Sequence, residues 1–501
     1  MTLHRRTFIS AAAAALALPA LPARARPALA ADFDANVADA PLLRAFKGVT
    51  EANASRSAEA PLLRGRWPAG LRGRFLRNGP ALFERGGERY HHWFDGDGLA
   101  QQFTLADGGV THRARLVQTA KLRAESAAGR FALPAFGTSV ERPLPMSGSD
   151  SVNTANTNLI EHGGRLLALW EGGSAYALDR GDLRTEGPVA WRADLRGVPF
   201  SAHPKVDGAG HLWNIGNAGE KLVLWQIDAQ GRLVQVQIGE HPLPFAMTHD
   251  MAVTERWVVV PVPPVRLRFE QTHPGPRPFV MEAGEPLRVL VMDKTDIRRR
   301  RVFELPPQMV FHVGNAHEEA DGSIVLSYVG APDAGFLDHD AVQLMRGQMP
   351  LSAAPSSICI ARLSMTSGKA QLQTFDDLVE FPRIHPAWVA RPARWLTSIG
   401  SWSTAAGSSM LHGVQVLDLQ SGRRERFDYG RDVIAEEHIV VPKPGRGGER
   451  DAWLLGLVYD GARQRTVLNL LDMAAVADGP IAQAELPYAM PPGFHGNFVA
   501  G

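Results

Sequence analysis

Short apolar strands dominate this chain, and stretches with a helical repeat of apolar positions are rare. The apolar runs are bounded by glycine, aspartate and serine, as in RLLALW, KLVLWQI, RWVVVPV, RVLVMD, SIVLSYV, AWLLGLVYD and TVLNLLD. Runs of strand length that end in turn-forming residues are typical of β proteins. The pattern therefore predicts an all-β fold.

One hairpin pattern recurs seven times. In each copy an apolar strand ends at a small or acidic residue, turns, and continues as a more polar strand. The turns are spaced by 72, 49, 65, 71, 54 and 54 residues and lie near Asp107, Asp179, Asp228, Asp293, Ser364, Asp418 and Asp472. Since each propeller blade needs four strands, these spacings predict a seven-bladed β-propeller with insertions. A pair of β-sandwiches or a barrel with ordinary hairpins is the alternative.

Two long apolar insertions are expected to cover one face of the propeller. Residues 123–146 and 333–355 are the longest segments between the predicted strands. Their apolar character suits a cap, the lining of a tunnel, or a patch that faces a membrane.

The N-terminus has the composition of an export signal. Arg5 and Arg6 precede Phe8 and the apolar run AAAAALALPALPA, which is too short to span a bilayer. This arrangement resembles a twin-arginine signal. We therefore expect residues 1–30 to be a signal peptide and residues 31–501 to form a single β-propeller domain that is exported or periplasmic. Twin-arginine export is often used by proteins that load a cofactor before export, so it hints at a cofactor.

Composition excludes several classes of function. The 501 residues carry 53 basic and 52 acidic side chains, and a net charge of +1 argues against a nucleic-acid partner. Cys359 is the single cysteine, which excludes an internal disulfide and cysteine-based zinc sites. The sequence has no H-E-x-x-H, no P-loop and no nucleophile elbow.

Histidine is the residue type most able to carry chemistry here. Of 17 histidines, four follow a hairpin turn by 24, 21, 19 and 23 residues: His203, His249, His312 and His495. In a propeller, the strand after the outer hairpin starts the next blade at the central axis, so equivalent positions would aim their imidazoles at one point. The same offset also selects His385 and His438, and spacing alone therefore leaves six candidate ligands.

Local sequence blocks resemble the carotenoid cleavage oxygenase family, which includes carotenoid, apocarotenoid and lignostilbene dioxygenases. The blocks cover residues 60–501 in the family's order: GRFLRNGP, HHWFDGDG, ANTNLIEHGGRLLALWEGG, AHPKVD, THDMAVTE, FHVGNAHEE, VEFPRI and PGFHGNFV. The resemblance implies a seven-bladed propeller with a cap, in which four histidines bind one non-haem Fe(II) per chain. By motif these ligands are His203, His249, His312 and His495, while His385 and His438 fall outside the motifs.

The resemblance also implies residues around the ligands. Three glutamates that orient the imidazoles match Glu171, Glu380 and Glu449, and Glu436 or Glu437 is the alternative to Glu449. Thr157 matches a position beside the open side of the iron. Four neutral imidazoles leave a metal with its full charge, and each needs an acceptor for its other ring N–H.

The implied activity is a dioxygenase that uses O2 to cleave a C=C bond of a carotenoid or apocarotenoid into two carbonyl products. A stilbene-like aryl alkene is the second substrate class, although His112 stands where that branch is expected to have a tyrosine. A hydrolase-isomerase variant is third. Two alternatives from other classes are a non-catalytic periplasmic propeller that binds a carotenoid or metal, and a copper redox propeller. The sequence leaves the oligomeric state open.

Overall fold

The structure is a computed structural model that describes residues 28–267, 279–350, 356–375, 377–402 and 410–501. Seven antiparallel sheets of four or more strands follow one another along the chain. They are the blades of a seven-bladed β-propeller, and the predicted fold class is confirmed. The signal-peptide prediction falls on residues 1–27, outside the described residues, and on Ala28–Ala30.

Blade 1 combines the N-terminal strands with the final strand of the chain, in the order β2-β9-β8-β4-β36. The short strands β1, β6 and β7 form a separate three-stranded sheet. The strands of this region are β1 (Ala28–Leu29), β2 (Arg56–Glu59), β3 (Leu62–Gly65), β4 (Gly73–Arg77), β5 (Pro80–Leu82), β6 (Glu84–Arg85), β7 (Glu88–Arg89), β8 (Asp97–Ala106) and β9 (Gly109–Leu116).

Blades 2 to 4 are four-stranded, and a two-stranded ribbon, β20-β21, projects from blade 4. Blade 2 holds β10 (Asn158–His162), β11 (Arg165–Leu169), β12 (Tyr176–Leu178) and β13 (Thr185–Pro188). Blade 3 holds β14 (Lys205–Val206), β15 (Leu212–Ala218), β16 (Lys221–Ile227) and β17 (Leu233–Glu240). Blade 4 and its ribbon hold β18 (Ala252–Val253), β19 (Trp257–Val262), β20 (Val265–Leu267), β21 (Phe279–Met281), β22 (Leu287–Asp293) and β23 (Arg300–Leu305).

Blades 5 to 7 repeat the same order, and β3 adds a fifth strand to blade 7. Blade 5 holds β24 (Met309–Glu318), β25 (Ile324–Ala331), β26 (Ser357–Leu363) and β27 (Ala370–Phe375). Blade 6 holds β28 (Leu378–Arg383), β29 (Trp395–Ser401), β30 (Gly413–Asp418) and β31 (Arg424–Asp428). Blade 7 holds β32 (Val433–Pro442), β33 (Ala452–Asp460), β34 (Arg465–Asp472) and β35 (Pro480–Glu485), and β36 (Gly496–Ala500) follows it.

The seven predicted hairpin turns each join the third and fourth strands of one blade, counted from the innermost strand. Aspartate suits these turns because its carboxylate accepts hydrogen bonds from backbone N–H groups two to four residues later. Asp228 Oδ1 accepts from the N–H groups of Gln230 at 3.0 Å and Arg232 at 2.8 Å. Asp179 Oδ1 accepts from Gly181 N at 2.8 Å. The recurring acidic residue therefore marks one structural position in successive blades.

The ring closes through β36, which pairs antiparallel with β4 and places Phe498 opposite Phe75. A large apolar cluster shared by blades 1 and 7 contains Phe75, Phe103, Leu455 and Leu468, all fully buried. The C-terminal strand is therefore held by both backbone pairing and core packing, and it becomes the innermost strand of blade 1.

Helices are few and lie between strands. They are α1 (Ala30–Asn36), α2 (Ala120–Ala128), and a π-helical turn (Phe336–Asp340) that continues into α3 (Ala341–Met345). Short 3₁₀ segments lie at Leu43–Lys47, Trp93–Asp95, Ser149–Val152, Ala193–Leu195, Pro386–Trp388 and Met473–Asp478, the last of which is kinked at Ala475. Across the described ranges, no helix combines the length and apolar character that crossing a membrane requires.

A buried charge cluster attaches α2 to blade 1. Lys121 Nζ donates to Glu125 Oε2 at 2.8 Å, to Asp97 Oδ1 at 3.4 Å and to the Tyr90 hydroxyl. The side chains of Lys121, Asp97 and Glu125 are fully buried. The single ammonium therefore compensates two carboxylates that have no access to water.

We expect Lys121→Met to lower stability by about 3–5 kcal/mol, because it leaves two buried carboxylates without their cation. The matched control is Lys47→Met, which removes a partly exposed ammonium that pairs with Asp34 and Glu84, and should cost about 1 kcal/mol or less. Thermal melting at one scan rate would compare the two variants. Equal shifts in the melting temperature would show that the buried cluster contributes no more than a surface pair.

Candidate metal centre

Four imidazoles converge at the centre of the propeller. His312 lies on β24, and His203, His249 and His495 lie one to three residues before β14, β18 and β36. These strands are the innermost strands of blades 5, 3, 4 and 1. One nitrogen from each of the four rings lies within 4.8 Å of the others. The structure thus brings together the four histidines that the sequence motifs selected.

The ring nitrogens are arranged to bind a cation. His312 Nε2 and His495 Nε2 lie 3.1 Å apart, and the buried Nε2 of His203 has no hydrogen-bond partner among the described residues. Burial lowers the pKa of His203 and His249 well below the usual range. Burial lowers the pKa of His495 to about 4, although Glu437 opposes the shift. Neutral rings keep the lone pairs that a metal needs, so the four residues fit a metal ion.

Carboxylates surround the imidazoles on their outer sides. Glu380 Oε2 lies 2.6 Å from His312 Nδ1, and Glu437 Oε1 lies 3.1 Å from His495 Nδ1. Although burial would lower the pKa of His312, the charge of Glu380 raises it. An Nδ1–H held in this way leaves Nε2 free to bind a metal and fixes the ring orientation.

Glu171 occupies a different setting from the other two carboxylates. Its Oε1 lies 3.5 Å from His249 Nδ1 and 3.6 Å from His203 Nε2, and its Oε2 accepts from the Ser201 hydroxyl at 3.2 Å. Burial raises the pKa of Glu171 to about 8, and Asp250 adds to the shift. Glu171 and Glu380 therefore lie beside the imidazoles, as the sequence resemblance implied.

The expectation for Glu449 is corrected by the structure. Glu449 lies in the turn between β32 and β33, where it accepts hydrogen bonds from the backbone N–H groups of Arg394 and Trp395. Glu437 contacts His495 instead, because β32 is the innermost strand of blade 7 and passes beside the segment that carries His495. The alternative named from the sequence, Glu436 or Glu437, contains the residue that the structure selects.

Two arginines, the fully buried Arg77 and the partly exposed Arg383, hold the glutamates of β32, and sequence reasoning missed them. Arg383 Nε donates to Glu437 Oε1 at 2.8 Å, and Arg77 donates to Glu437 Oε2 at 3.2 Å and Glu436 Oε2 at 2.5 Å. Burial alone would raise the pKa of Glu437, but Arg383, His495 and Arg77 hold it well below its usual range. Both arginines fall within the motif blocks RNGP and VEFPRI, yet nothing in their spacing indicated a role.

The other histidines selected by spacing have local partners. His438 uses both ring nitrogens, one with the Tyr429 hydroxyl and one with the Glu436 carbonyl, each at 2.8 Å. His385 accepts from Ala387 N at 3.2 Å and caps a 3₁₀ turn. Neither ring belongs to the four-histidine group.

His112 does not inform the choice of substrate. It is buried within blade 1 between the Tyr488 hydroxyl at 2.9 Å and Gln101 at 3.2 Å. It is absent from the lining of the cavity that leads to the four imidazoles. The expectation that His112 bears on a phenol site is therefore wrong, because its side chain faces the blade interior.

A cavity of about 410 Å³ leads to the four-histidine group. His249, His312, His495, Glu171, Glu380 and Thr157 belong to its lining, and its aromatic wall includes Trp93, Phe94, Phe136, Phe311, Phe336 and Phe494. Phe136 and Phe336 come from the two insertions, so both of these segments contribute to the lining of the cavity. Residues 351–355 of the second insertion lie outside the described residues.

Comparison with known proteins identifies the family. The family model described as retinal pigment epithelial membrane protein, RPE65, matches residues 48–500. The chain belongs to this family. The resemblance to the carotenoid cleavage oxygenases is thereby confirmed over nearly the whole chain.

Individual relatives match most of the chain. Apocarotenoid-15,15'-oxygenase of Synechocystis sp. is 30% identical over 469 residues, which cover 86% of this chain and 91% of the relative. Isoeugenol monooxygenase of Pseudomonas nitroreducens is 26% identical over 459 residues, covering 87% and 93% respectively. The crystal structure of cobalt-substituted Synechocystis ACO, at 26% identity, aligns with a TM-score of 0.83 and covers 92% of this chain and 98% of that chain.

Proposed function

We propose that this protein is an Fe(II)-dependent dioxygenase that cleaves a C=C bond of an apocarotenoid or carotenoid. One alkene and one O2 would yield two carbonyl compounds, each of which gains one oxygen atom. The observation that carries the proposal is the group of four buried imidazoles at the inner end of an aromatic cavity. The similarity to an apocarotenoid oxygenase supports this substrate class.

Iron is the metal that best suits the proposed reaction. Bound Fe(II) supplies the electrons that activate O2 toward a conjugated double bond. Four neutral nitrogen donors also bind Cu(II) or Zn(II), generally more tightly than Fe(II), so selectivity depends on which metal is available when the protein folds. Loading in the cytoplasm before export would favour iron, and this part of the proposal rests on the export signal.

The chain's own residues position the substrate and keep water out. The aromatic wall offers faces and edges against which a flat conjugated alkene can pack. Glu380 and Glu437 hold the outer N–H groups of two imidazoles, which places the ring proton on Nδ1 and orients Nε2 toward the centre of the group. Thr157 lies in the cavity lining with its hydroxyl bonded to Asn156 at 3.0 Å, and we propose that it borders the open side of the metal.

An aryl alkene is the second candidate substrate, and the similarity to isoeugenol monooxygenase favours it. To separate the two, purified protein would be assayed with an apocarotenal and with isoeugenol or a hydroxystilbene, with and without O2. We expect a higher kcat/KM for the apocarotenal, and aldehyde products only when O2 is present. Higher kcat/KM on the aryl alkene would reverse the order of the two candidates, and no turnover of any conjugated alkene would overturn the proposal.

We further propose that residues 1–30 direct export of the folded protein through the twin-arginine route. We expect a reporter fused after residue 30 to reach the periplasm, and a double Arg5→Lys, Arg6→Lys variant to stay in the cytoplasm. Cell fractionation measures both. Export of the double variant at the normal rate would contradict the proposed route.

A further inference from the structure

Glu436 lies in the cavity wall with one oxygen bonded and one oxygen unbonded. Its Oε2 accepts from Arg77 at 2.5 Å and from the backbone N–H of Gly493 at 3.0 Å. Its Oε1 is buried and has no hydrogen-bond partner among the described residues. A buried carboxylate oxygen without a donor is costly, so its presence in a binding cavity indicates a ligand that donates a hydrogen bond.

Trp93 presents the complementary group in the same cavity. Its indole Nε1–H is buried and has no acceptor within the described part of the chain. The Trp93 ring packs edge-on against Phe494 with the centroids 4.9 Å apart, and Phe494 directly follows the Gly493 that binds Glu436. The unused acceptor of Glu436 and the unused donor of Trp93 therefore belong to side chains that both contact one short segment, residues 493–494.

A hydroxyl group is the simplest chemical group that can both donate and accept here. An aldehyde or an ether can only accept, and a hydrocarbon can do neither. Neither Glu436 nor Trp93 belongs to the four-histidine group, and Arg77 already compensates the charge of Glu436 through Oε2. The unbonded Oε1 thus serves neither the metal nor the ion pair.

We propose that Glu436 and Trp93 form a subsite that binds a hydroxyl group of the substrate. The enzyme would then prefer hydroxylated conjugated alkenes to the corresponding ethers. Because Glu437, the next residue, contacts His495, the bound hydroxyl would lie on the side of the cavity adjacent to the metal centre. This inference rests on the proposed function, since it names the chemistry of the substrate for that same site.

The test is equilibrium binding of matched ligands to the full chain under nitrogen, where no turnover occurs. One pair is a 3-hydroxy-apocarotenal and its 3-methyl ether, and the other is 4-hydroxystilbene and 4-methoxystilbene. Quenching of tryptophan fluorescence gives Kd for each. A hydrogen bond to a charged acceptor predicts roughly 10- to 100-fold tighter binding of the hydroxyl ligand in one pair. The pair that shows the preference identifies a ring alcohol or a phenol as the recognised group.

Two variants test the assignment to named atoms. In Glu436→Gln the amide oxygen can keep Arg77 and Gly493, which leaves an NH2 donor where an acceptor stood. The ratio of Kd values between the ether and the hydroxyl ligand should then fall to within about 3-fold, because the ether oxygen can accept a hydrogen bond from the amide NH2. Trp93→Phe should weaken the binding of both ligands of the preferred pair by a similar factor, so the ratio of their two Kd values should stay the same.

Glu161→Gln is the matched control. It also removes a carboxylate from arginines, Arg74 and Arg180, but Glu161 is not part of the cavity lining. We expect it to keep the wild-type preference. A wild-type preference below about 3-fold in both pairs, or a full preference in Glu436→Gln, would overturn the subsite while leaving alkene cleavage intact. Preserved preference without any alkene cleavage would count against the proposed function instead.

Discussion

Replacing His495 by alanine is expected to reduce metal affinity by more than 100-fold and to abolish turnover. His495 contributes one of the four nitrogens that lie within 4.8 Å of one another, and its Nε2 is 3.1 Å from that of His312. Removing a residue that only orients a ligand typically lowers metal affinity by roughly 10- to 100-fold. Removing a direct ligand is expected to lower it further. Metal content after dialysis against a weak chelator measures the loss.

His438→Ala is the matched control for that experiment. His438 is buried and close to the same strands, but both of its nitrogens are bonded to Tyr429 and Glu436. We expect this variant to lose stability, because it leaves buried polar groups without a partner, while its metal content stays normal. Equal metal retention by both variants would show that His495 is not a ligand.

Glu437→Gln is expected to lower metal affinity by roughly 10- to 100-fold, the usual effect of removing the carboxylate that orients a ligand imidazole. The substitution removes the acceptor charge at His495 Nδ1 and leaves Arg383 with a neutral partner, while Arg77 keeps its ion pair with Glu436. Chelator competition with cobalt or iron measures the change. Cobalt also reports the ligand geometry through its visible absorption.

Glu449→Gln tests which glutamate of blade 7 orients a ligand imidazole. The structure assigns this role to Glu437, whereas the sequence resemblance assigned it to Glu449. Glu449 bonds backbone N–H groups of residues 394 and 395, away from the imidazoles. Its substitution should leave metal affinity within about 2-fold of wild type, as expected for a residue that is not a partner of the ligands. A reversed result, with a large loss in Glu449→Gln and none in Glu437→Gln, would contradict the site described above.

Much of the fold could be predicted because five of the seven blades repeat the same local chemistry. An apolar third strand ends at an aspartate whose carboxylate binds the following backbone N–H groups, and this motif is visible without any tertiary information. The turn also sets the approximate distance to the start of the next blade. That distance placed six histidines near innermost strands, but it could not tell which rings point inward.

The parts of the site that the sequence did not predict depend on contacts between residues that are far apart in the chain. His438 and His495 have similar offsets from their turns, yet Tyr429 and the Glu436 carbonyl occupy the nitrogens of His438. Glu437 contacts His495 across 58 positions of sequence, whereas Glu449 lies in a turn at one end of β32. The local sequence around Glu449 resembles the family motif, but it does not show that Glu437 is the carboxylate of blade 7 that faces the propeller axis.

The most direct test of the central claim is the metal content of active protein, made without residues 1–30 and purified without added metal. Elemental analysis should find about one iron per chain, in proportion to the rate of alkene cleavage across preparations, as expected for a single four-histidine site. Stoichiometric copper in the active fraction, or full activity in protein without iron, would contradict the account.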